Sequence, residues 1–318
     1  MSSALEQLAG HARQELAKTI VGQRAALDLL LLTIVCGGHA LIEGVPGLAK
    51  TLTVRTLARI LQMRFQRVQC TPDLMPADIV GSNIFNMSTS TFALHKGPVF
   101  TDLLLVDEIN RMPPRTQAAL LEAMEERQVT IDGVSHQLSP GFATFATQNP
   151  VEFEGTYPLP EAELDRFFVK IRLGYPDAAA AEDEAILERH HQGFDTRALD
   201  KMDLTPLSPE LLEAATREIA AVRVEAPLLG YIASVARRTR DWPSLTLGVS
   251  PRGSVYLMQL SKAFAAMEGR DFLLPDDVKR AAAPVFRHRL VLKPEADLDG
   301  LSADQVTADV LAAVEVPK

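Results

Sequence analysis

The spacing of hydrophobic residues along the chain changes near residue 200. Before that point, short apolar runs alternate with segments of helical spacing, which predicts βαβ units around a parallel sheet. After it the spacing is helical throughout, which predicts a group of amphipathic helices. We therefore predict an α/β domain over residues 1–199 and a small all-helical domain over residues 200–318.

Individual elements follow from the same pattern. Ser208 and Pro209 provide an N-cap and a first-turn proline for a helix that ends near Ala221. Strands are predicted at residues 39–42, 64–69, 103–106, 143–148 and 167–171. Further helices are predicted near residues 178–191, 227–239, 251–269, 275–283 and 303–314.

Two segments with apolar arms around a polar turn interrupt the alternation of strands and helices. They cover residues 84–94 and 128–138, and both are predicted to be β-hairpins. In the second, Asp132-Gly133 is a strong signal for a tight two-residue turn. Such hairpins either cover a sheet edge or contact a partner, and the pattern leaves both interpretations open.

A glycine-rich segment separates the first predicted strand from a helical segment. A turn of this kind points backbone N–H groups and a helix N-terminus at an anion. Its residues are Gly44, Val45, Pro46, Gly47, Leu48, Ala49, Lys50 and Thr51. Lys50 is expected to reach the β and γ phosphates of a nucleotide, and the Thr51 hydroxyl to ligate Mg²⁺. Ala49 replaces the usual glycine, and it fits a helix start if its φ is negative. The alternative is an ordinary Gly/Pro turn before a core helix.

Two carboxylates follow the continuous apolar run at residues 103–106, which is typical of a fully buried strand. A strand end beside a phosphate loop is where ligands bind in an open parallel sheet. Asp107 is therefore predicted to share the Mg²⁺ with Thr51, and Glu108 to activate the attacking water. Alternatively, the two carboxylates stabilise the N-terminus of the next helix, predicted at residues 113–125.

Hydrolysis of ATP also needs a polar group near the γ-phosphate and positive charge on the transferred phosphoryl group. Asn149 follows the strand at 143–148 and is the candidate for the first role. Arg166 and Arg252 are candidates for the second, and Arg252 begins a helix after Ser250 and Pro251. His190 and His191 lack metal-ligand spacing and are predicted to lie at a solvated helix end.

The composition of the chain indicates the class of protein and its expected location. Hydrophobic residues make up 47% of the 318 residues and charged residues 23%, as in soluble globular proteins. The two cysteines, Cys36 and Cys70, form no disulfide framework or zinc spacing, and the start of the chain has no apolar signal core. The apolar run at residues 29–36 is too short to span a bilayer. We therefore expect a cytoplasmic protein.

The sequence resembles the MoxR family of AAA+ ATPases over nearly its whole length. The most specific match is the block at residues 107–124, which begins with Asp107-Glu108. The resemblance also includes the phosphate loop at residues 44–51 and the segments at residues 20–23, 71–81, 97–100, 146–150, 159–167 and 250–252.

This resemblance implies an AAA+ P-loop NTPase with a parallel sheet core and a helical lid, which binds ATP and Mg²⁺. Val21 and Gln23 would lie on the adenine side, and Asn149 would be the sensor-1 residue. Arg166 would be the arginine finger for the neighbouring subunit's ATP, and Arg252 would be sensor 2 on the lid. The hairpins would be the helix-2 insert and the pre-sensor-1 hairpin. Family members form rings, usually hexamers, and remodel partners that often contain a von Willebrand factor A domain.

Other functions remain open at this point. A DNA-directed motor shares both insertions, but a net charge of −9, a pI of about 5.3 and the few basic residues in the hairpins disfavour binding to nucleic acid. The ATPase subunit of a magnesium-chelatase-like complex is a second alternative. A nucleotide switch without turnover is a third, and the presence of both Glu108 and Arg166 argues against it.

Overall fold

The apolar runs form strands of a parallel sheet. We describe a computed structural model of the chain, covering residues 3–88, 90–150, 156–175, 177 and 181–317. Its strands are β1 (Ala40–Glu43), β2 (Phe65–Gln69), β3 (Gly81–Asn86), β4 (Thr91–Lys96), β5 (Leu103–Asp107), β6 (Gln128–Ile131), β7 (Val134–Gln137), β8 (Ala143–Gln148), β9 (Val169–Arg172), β10 (Leu245–Leu247) and β11 (Val291–Leu292).

Five of these strands form one sheet in the order β2-β5-β8-β1-β9, and every neighbouring pair is parallel. Strand β5 is buried along its whole length, as its unbroken apolar sequence predicts. All five match predicted runs within two residues. Because the strands are parallel, the segments that follow β1, β5 and β8 meet at one edge of the sheet.

The helices cover the sheet and form the C-terminal part. They are α1 (Ala4–Leu16), α2 (Arg24–Val35), α3 (Lys50–Ile60), α4 (Pro76–Val80), α5 (Pro114–Glu126), α6 (Glu161–Leu164), α7 (Glu182–His191), α8 (Pro209–Ala221), α9 (Ala226–Arg240), α10 (Pro251–Met267), α11 (Pro275–Phe286), α12 (Pro294–Leu298) and α13 (Ala303–Ala313). Ser208 caps α8 through the N–H of Leu211, as predicted. The start of the helix predicted at 178–191 lies outside the described residues. No helix in the described ranges has the length and apolarity needed to span a bilayer.

Two antiparallel hairpins project from the sheet domain. Strands β3 and β4 form one, and β6 and β7 form the other. Asp132 and Gly133 both have positive φ, at 49° and 79°, as a two-residue hairpin turn of the predicted kind requires. Asn83 of the first hairpin donates a hydrogen bond to Asp132 of the second at 2.8 Å, so the two hairpins are in contact.

The hydrophobic core continues from the sheet domain into the C-terminal helices. Apolar side chains of α1 and α2 belong to the same buried cluster as those of α8 to α11 and α13. Helix α1 packs against α8 and α10, and α11 packs against β9. The division near residue 200 is a change in secondary structure, and the domain boundary drawn there stays a prediction.

Candidate active site

The phosphate loop connects β1 to α3. Gly47 has a φ of 88° and Ala49 a φ of 55°, and α3 begins at Lys50. The condition that Ala49 has a negative φ is not met, because the loop enters the left-handed region in its last residue before the helix. An L-residue pays on the order of 1 kcal/mol for that conformation. The Lys50 ammonium donates to the carbonyl oxygens of Gly44 and Val45, so it lies over the loop.

The carboxylates at the end of β5 are held by neighbouring hydroxyl groups. Thr147 Oγ1 donates to Asp107 Oδ1 at 2.7 Å, and Thr51 Oγ1 donates to Asp107 Oδ2 at 3.2 Å. Glu108 has a φ of 59°, and its N–H donates to Thr147 Oγ1 at 2.9 Å. The structure therefore brings together Thr51 and Asp107, whose oxygens are the hard donors that Mg²⁺ prefers when it is bound mainly through phosphates.

The phosphate loop and the carboxylates line one cavity of about 740 Å³, a volume in the usual range for small-molecule sites. Asn149, which is buried, lines the same cavity beside Thr147. Predicted site residues on its walls are Val21, Gln23, Pro46, Gly47, Leu48, Ala49, Lys50, Thr51, Asp107, Glu108 and Asn149. Among the described residues, no group donates a hydrogen bond to the buried Gln23 Oε1. That oxygen is free to accept one from a ligand.

Several residues at this cavity are absent from the sequence-based prediction. Ile186 and His190 of α7 line it together with Phe194, and the rings of His190 and Phe194 pack edge to face at 5.7 Å. His190 and His191 are both exposed in the last turn of α7, as predicted, and His190 also lines the cavity. The helical spacing of residues 186 and 190 was the available signal, since it places both on one face of α7.

Strand β2 contributes two more polar side chains. Arg67 donates to Asp107 Oδ2 through Nε at 3.0 Å and Nη2 at 2.8 Å. Arg67 Nη2 also donates to Gln69 Oε1 at 2.6 Å, and Gln69 Nε2 donates to Glu108 Oε2 at 3.0 Å. Polar residues at the end of a strand beside β5 were the only sequence signal for this contact.

Arg166 and Arg252 lie outside this cavity and meet on one carboxylate. Arg166 Nε is 2.7 Å from Glu125 Oε2, and Arg252 Nη2 is 2.5 Å from Glu125 Oε1. The hydrogen bond from Arg252 and the charge of Arg166 lower the pKa of Glu125. Arg252 is therefore not among the residues that line the nucleotide cavity of its own chain, and its role as sensor 2 stays a prediction.

A buried ion pair fixes this arrangement. Arg289, whose side chain is 1% exposed, donates to Asp165 Oδ1 at 2.7 Å. Ser250 Oγ donates to the same carboxylate at 2.9 Å, and it accepts from the N–H of Gly253 as the N-cap of α10. Arg166 is the residue after Asp165, and Arg252 is two residues after Ser250. The Asp165 carboxylate therefore positions both segments that carry the arginines.

Comparison with known proteins agrees with this geometry. The family model "ATPase family associated with various cellular activities (AAA)" matches residues 39–169, and the AAA lid domain matches residues 237–310. The chain is 42% identical to YeaC of Bacillus subtilis, over 98% of this chain and 96% of the relative. It is 39% identical to chaperone MoxR1 of Mycobacterium tuberculosis, over 96% of this chain and 81% of the relative.

A solved structure, described as a candidate ATPase from Cytophaga hutchinsonii, has the same fold. It superposes with a TM-score of 0.88 at 38% sequence identity and covers 99% of this chain and 96% of its own. The fold and the cavity together define an ATPase of the AAA class. The chain belongs to the MoxR family of AAA+ ATPases, which confirms the predicted family and fold class.

Proposed function

We propose that this protein is a Mg²⁺-dependent ATPase that assembles into a homo-oligomeric ring, usually a hexamer in this family, and uses ATP hydrolysis to remodel partner proteins. The observation that carries the ATPase assignment is the meeting of Lys50, Thr51, Asp107, Glu108 and Asn149 in one cavity. The family membership supports nucleotide binding and an ATPase activity.

Each of these side chains has a distinct part in hydrolysis. Lys50 places a positive charge at the β and γ phosphates. Thr51 and Asp107 would hold Mg²⁺, which would neutralise charge on the phosphates. Glu108 accepts a proton from the water that attacks the γ-phosphorus, while the bond from that phosphorus to the β–γ bridging oxygen breaks. Asn149 hydrogen-bonds near the γ-phosphate and orients the groups that react.

The two arginines act between subunits in this proposal. Both guanidinium groups lie outside the cavity of their own chain, and they are only partly exposed, on a shared carboxylate. Two such cations on one surface complement the γ-phosphate of the next subunit. Arg166 is then the arginine finger, and Arg252 joins it from the lid of the same chain, so that the complete site needs two subunits.

The hairpins are proposed to contact the partner protein. The rings of Phe85 and Phe92 contact each other in a tilted arrangement on the first hairpin, with centroids 5.2 Å apart. Phe92 is 71% exposed and Met87 88% exposed. Lys96 is the only Lys or Arg residue in residues 81–96, and there is none in residues 128–137. An apolar surface with so little positive charge favours a protein over a nucleic-acid backbone. A protein with a von Willebrand factor A domain is the proposed client, and the cytoplasm the proposed location.

We expect the hairpin substitution Phe92→Ser to abolish client capture and to leave ATP hydrolysis within about twofold of wild type, because none of the described residues of this hairpin lines the cavity. Capture is measured by co-purification with a Glu108→Gln background in ATP and in ADP, followed by identification of the bound chains. Leu298→Ser is the matched control, since Leu298 is also 88% exposed but lies on α12.

The results of capture and DNA-binding experiments distinguish a protein remodeller from a DNA-directed motor. Capture of a von Willebrand factor A protein in ATP, lost with Phe92→Ser and kept with Leu298→Ser, supports the proposal. Filter binding of DNA at two salt concentrations tests the motor alternative, because phosphate contacts make affinity fall steeply with salt. Salt-dependent DNA binding that stimulates hydrolysis, with no ATP-dependent protein capture, would contradict a protein remodeller.

We expect Lys50→Ala to lower the affinity for ATP by at least about 100-fold, because the substitution removes a charge-assisted contact to phosphate from a site that has few cations. Isothermal titration with ATP and Mg²⁺ measures this. Lys18→Ala is a suitable control, since Lys18 lies at the surface and pairs with Glu15. Binding of ATP by the Lys50→Ala protein within a few-fold of wild type would remove the basis for the phosphate-loop assignment.

A further inference from the structure

Arg67 forms an ion pair with the carboxylate that is assigned to Mg²⁺. Both Nε and Nη2 of Arg67 lie within 3.0 Å of Asp107 Oδ2. The contact follows from the sheet register, in which Gln69 is opposite Asp107 on neighbouring parallel strands. Gln69 is two residues after Arg67 in β2, so the two side chains lie on the same face of the sheet. It is 45% exposed and lines the nucleotide cavity.

The two oxygens of Asp107 are used differently. Oδ1 accepts the hydrogen bond of Thr147 Oγ1 at 2.7 Å, inside the protein. Oδ2 faces the hydroxyl of Thr51 at 3.2 Å and is therefore the oxygen on the metal side. Arg67 donates twice to this same Oδ2. A guanidinium group is always charged in proteins, so it cannot lose its proton to make room for a second cation.

We propose that Arg67 is the resident counter-ion of Asp107 and that Mg²⁺-nucleotide must displace it, so that Arg67 sets the magnesium requirement of nucleotide binding. This rests on the proposed ATPase function. Arg67 and Mg²⁺ compete for one carboxylate oxygen of Asp107. The Arg67 ion pair therefore raises the apparent dissociation constant of Mg²⁺, and bound Mg²⁺ disfavours the ion pair to the same extent. The exposure of Arg67 allows its side chain to turn away from Asp107 without a change in the fold.

The same contact reaches the proposed base. Gln69 accepts a hydrogen bond from Arg67 Nη2 and donates one to Glu108 Oε2. Departure of Arg67 from Asp107 removes one of the two bonds that hold the Gln69 amide. Arg67 is therefore a positioning residue, which links occupancy of the metal site to the surroundings of Glu108.

The ordinary alternative is that Arg67 pairs with Asp107 only to join β2 to β5. A strand-joining ion pair affects stability, and a half-exposed pair contributes under about 1 kcal/mol. It does not by itself change the affinity for a metal ion. The magnesium requirement of nucleotide binding therefore separates the two interpretations.

The test is a Mg²⁺ titration of nucleotide binding in a Glu108→Gln background, which prevents turnover. A fluorescent ATP analogue is held at fixed concentration with the protein, and the MgCl₂ concentration at half-maximal binding is measured. We expect Arg67→Gln to lower this concentration about tenfold, which corresponds to about 1.4 kcal/mol. Arg67→Lys keeps the charge but loses the two-point contact, and we expect a smaller fall of about threefold.

Arg64→Gln is the matched control. Arg64 precedes β2 and pairs with Asp102 at 2.8 Å, so the substitution removes the same charge near the same strand without touching Asp107. We expect the half-maximal Mg²⁺ concentration of this control to stay within about twofold of the parent.

An unchanged or higher magnesium requirement in folded Arg67→Gln, as judged by circular dichroism, would overturn the inference and leave the proposed function intact. If Arg67→Gln does not fold, the Arg67→Lys variant is used instead. A magnesium requirement of Arg67→Lys at or above that of the parent would also overturn the inference. Absence of nucleotide binding by the parent at every Mg²⁺ concentration would overturn the proposed function and this inference together.

Discussion

Replacement of Glu108 by glutamine is expected to preserve ATP binding and to slow hydrolysis by about 10²–10⁴-fold, the usual contribution of a general base. Glu108 follows Asp107 at the end of β5, and its positive φ turns the residue out of the strand at the cavity wall. Glutamine keeps the size of the side chain and its hydrogen-bonding capacity. It cannot accept the proton of the attacking water, so the loss is confined to the chemical step.

Single-turnover release of phosphate, measured beside the dissociation constant for ATP, separates these two effects. Glu122→Gln is the matched control, because Glu122 is an exposed carboxylate on α5 that lies outside the cavity walls. That variant should hydrolyse ATP at the rate of wild type. Hydrolysis by Glu108→Gln within a few-fold of wild type would show that another group activates the water.

The strands and the phosphate loop could be predicted because their signals are local. Continuous apolar runs identify buried strands, and the loop is defined by residues adjacent in the chain. The turn at Asp132-Gly133 and the cap at Ser208 are local in the same way, and both have the expected geometry. The left-handed φ of Ala49 escaped prediction because it depends on how the loop closes between β1 and α3.

Contacts across the fold could not be predicted from these signals. The pairing of Arg67 with Asp107 requires the register between β2 and β5, which neither strand's sequence specifies. The position of His190 requires the packing of α7 over the cavity. The position of Arg252 on Glu125 requires the contact between Ser250 and Asp165. Periodicity shows which face of an element is packed, but it does not specify which side chain of another element that face meets.

The position of Arg166 and Arg252 outside the cavity affects where the bound nucleotide can drive a movement of the protein. A buried Arg289–Asp165 ion pair and a shared core hold the lid against the sheet domain. Arg289 Nη2 also donates to the backbone carbonyl oxygens of Asp165 and Phe167, so several hydrogen bonds would have to break for the lid to open. The nucleotide-dependent contact is therefore expected between subunits, where the two arginines are proposed to meet the phosphate of the neighbour.

Arg166→Ala is accordingly expected to bind ATP with near-normal affinity and to lose hydrolysis by about 10³–10⁵-fold, the usual effect of removing an arginine finger. Binding is preserved because Arg166 lies outside the cavity of its own chain. Arg217→Ala, which removes an exposed arginine from α8, is the control and should keep full activity.

Mixing of two inactive variants tests whether Arg166 acts in trans. Lys50→Ala subunits have no working phosphate loop but carry an intact finger, and Arg166→Ala subunits have the reverse. In a mixed ring, some interfaces pair the intact loop of one chain with the intact finger of its neighbour. Hydrolysis should therefore reappear on mixing and depend on the ratio of the two variants. If native mass spectrometry shows mixed rings and no ratio restores hydrolysis, Arg166 serves its own chain, because only an interaction within one subunit is unaffected by an intact neighbour.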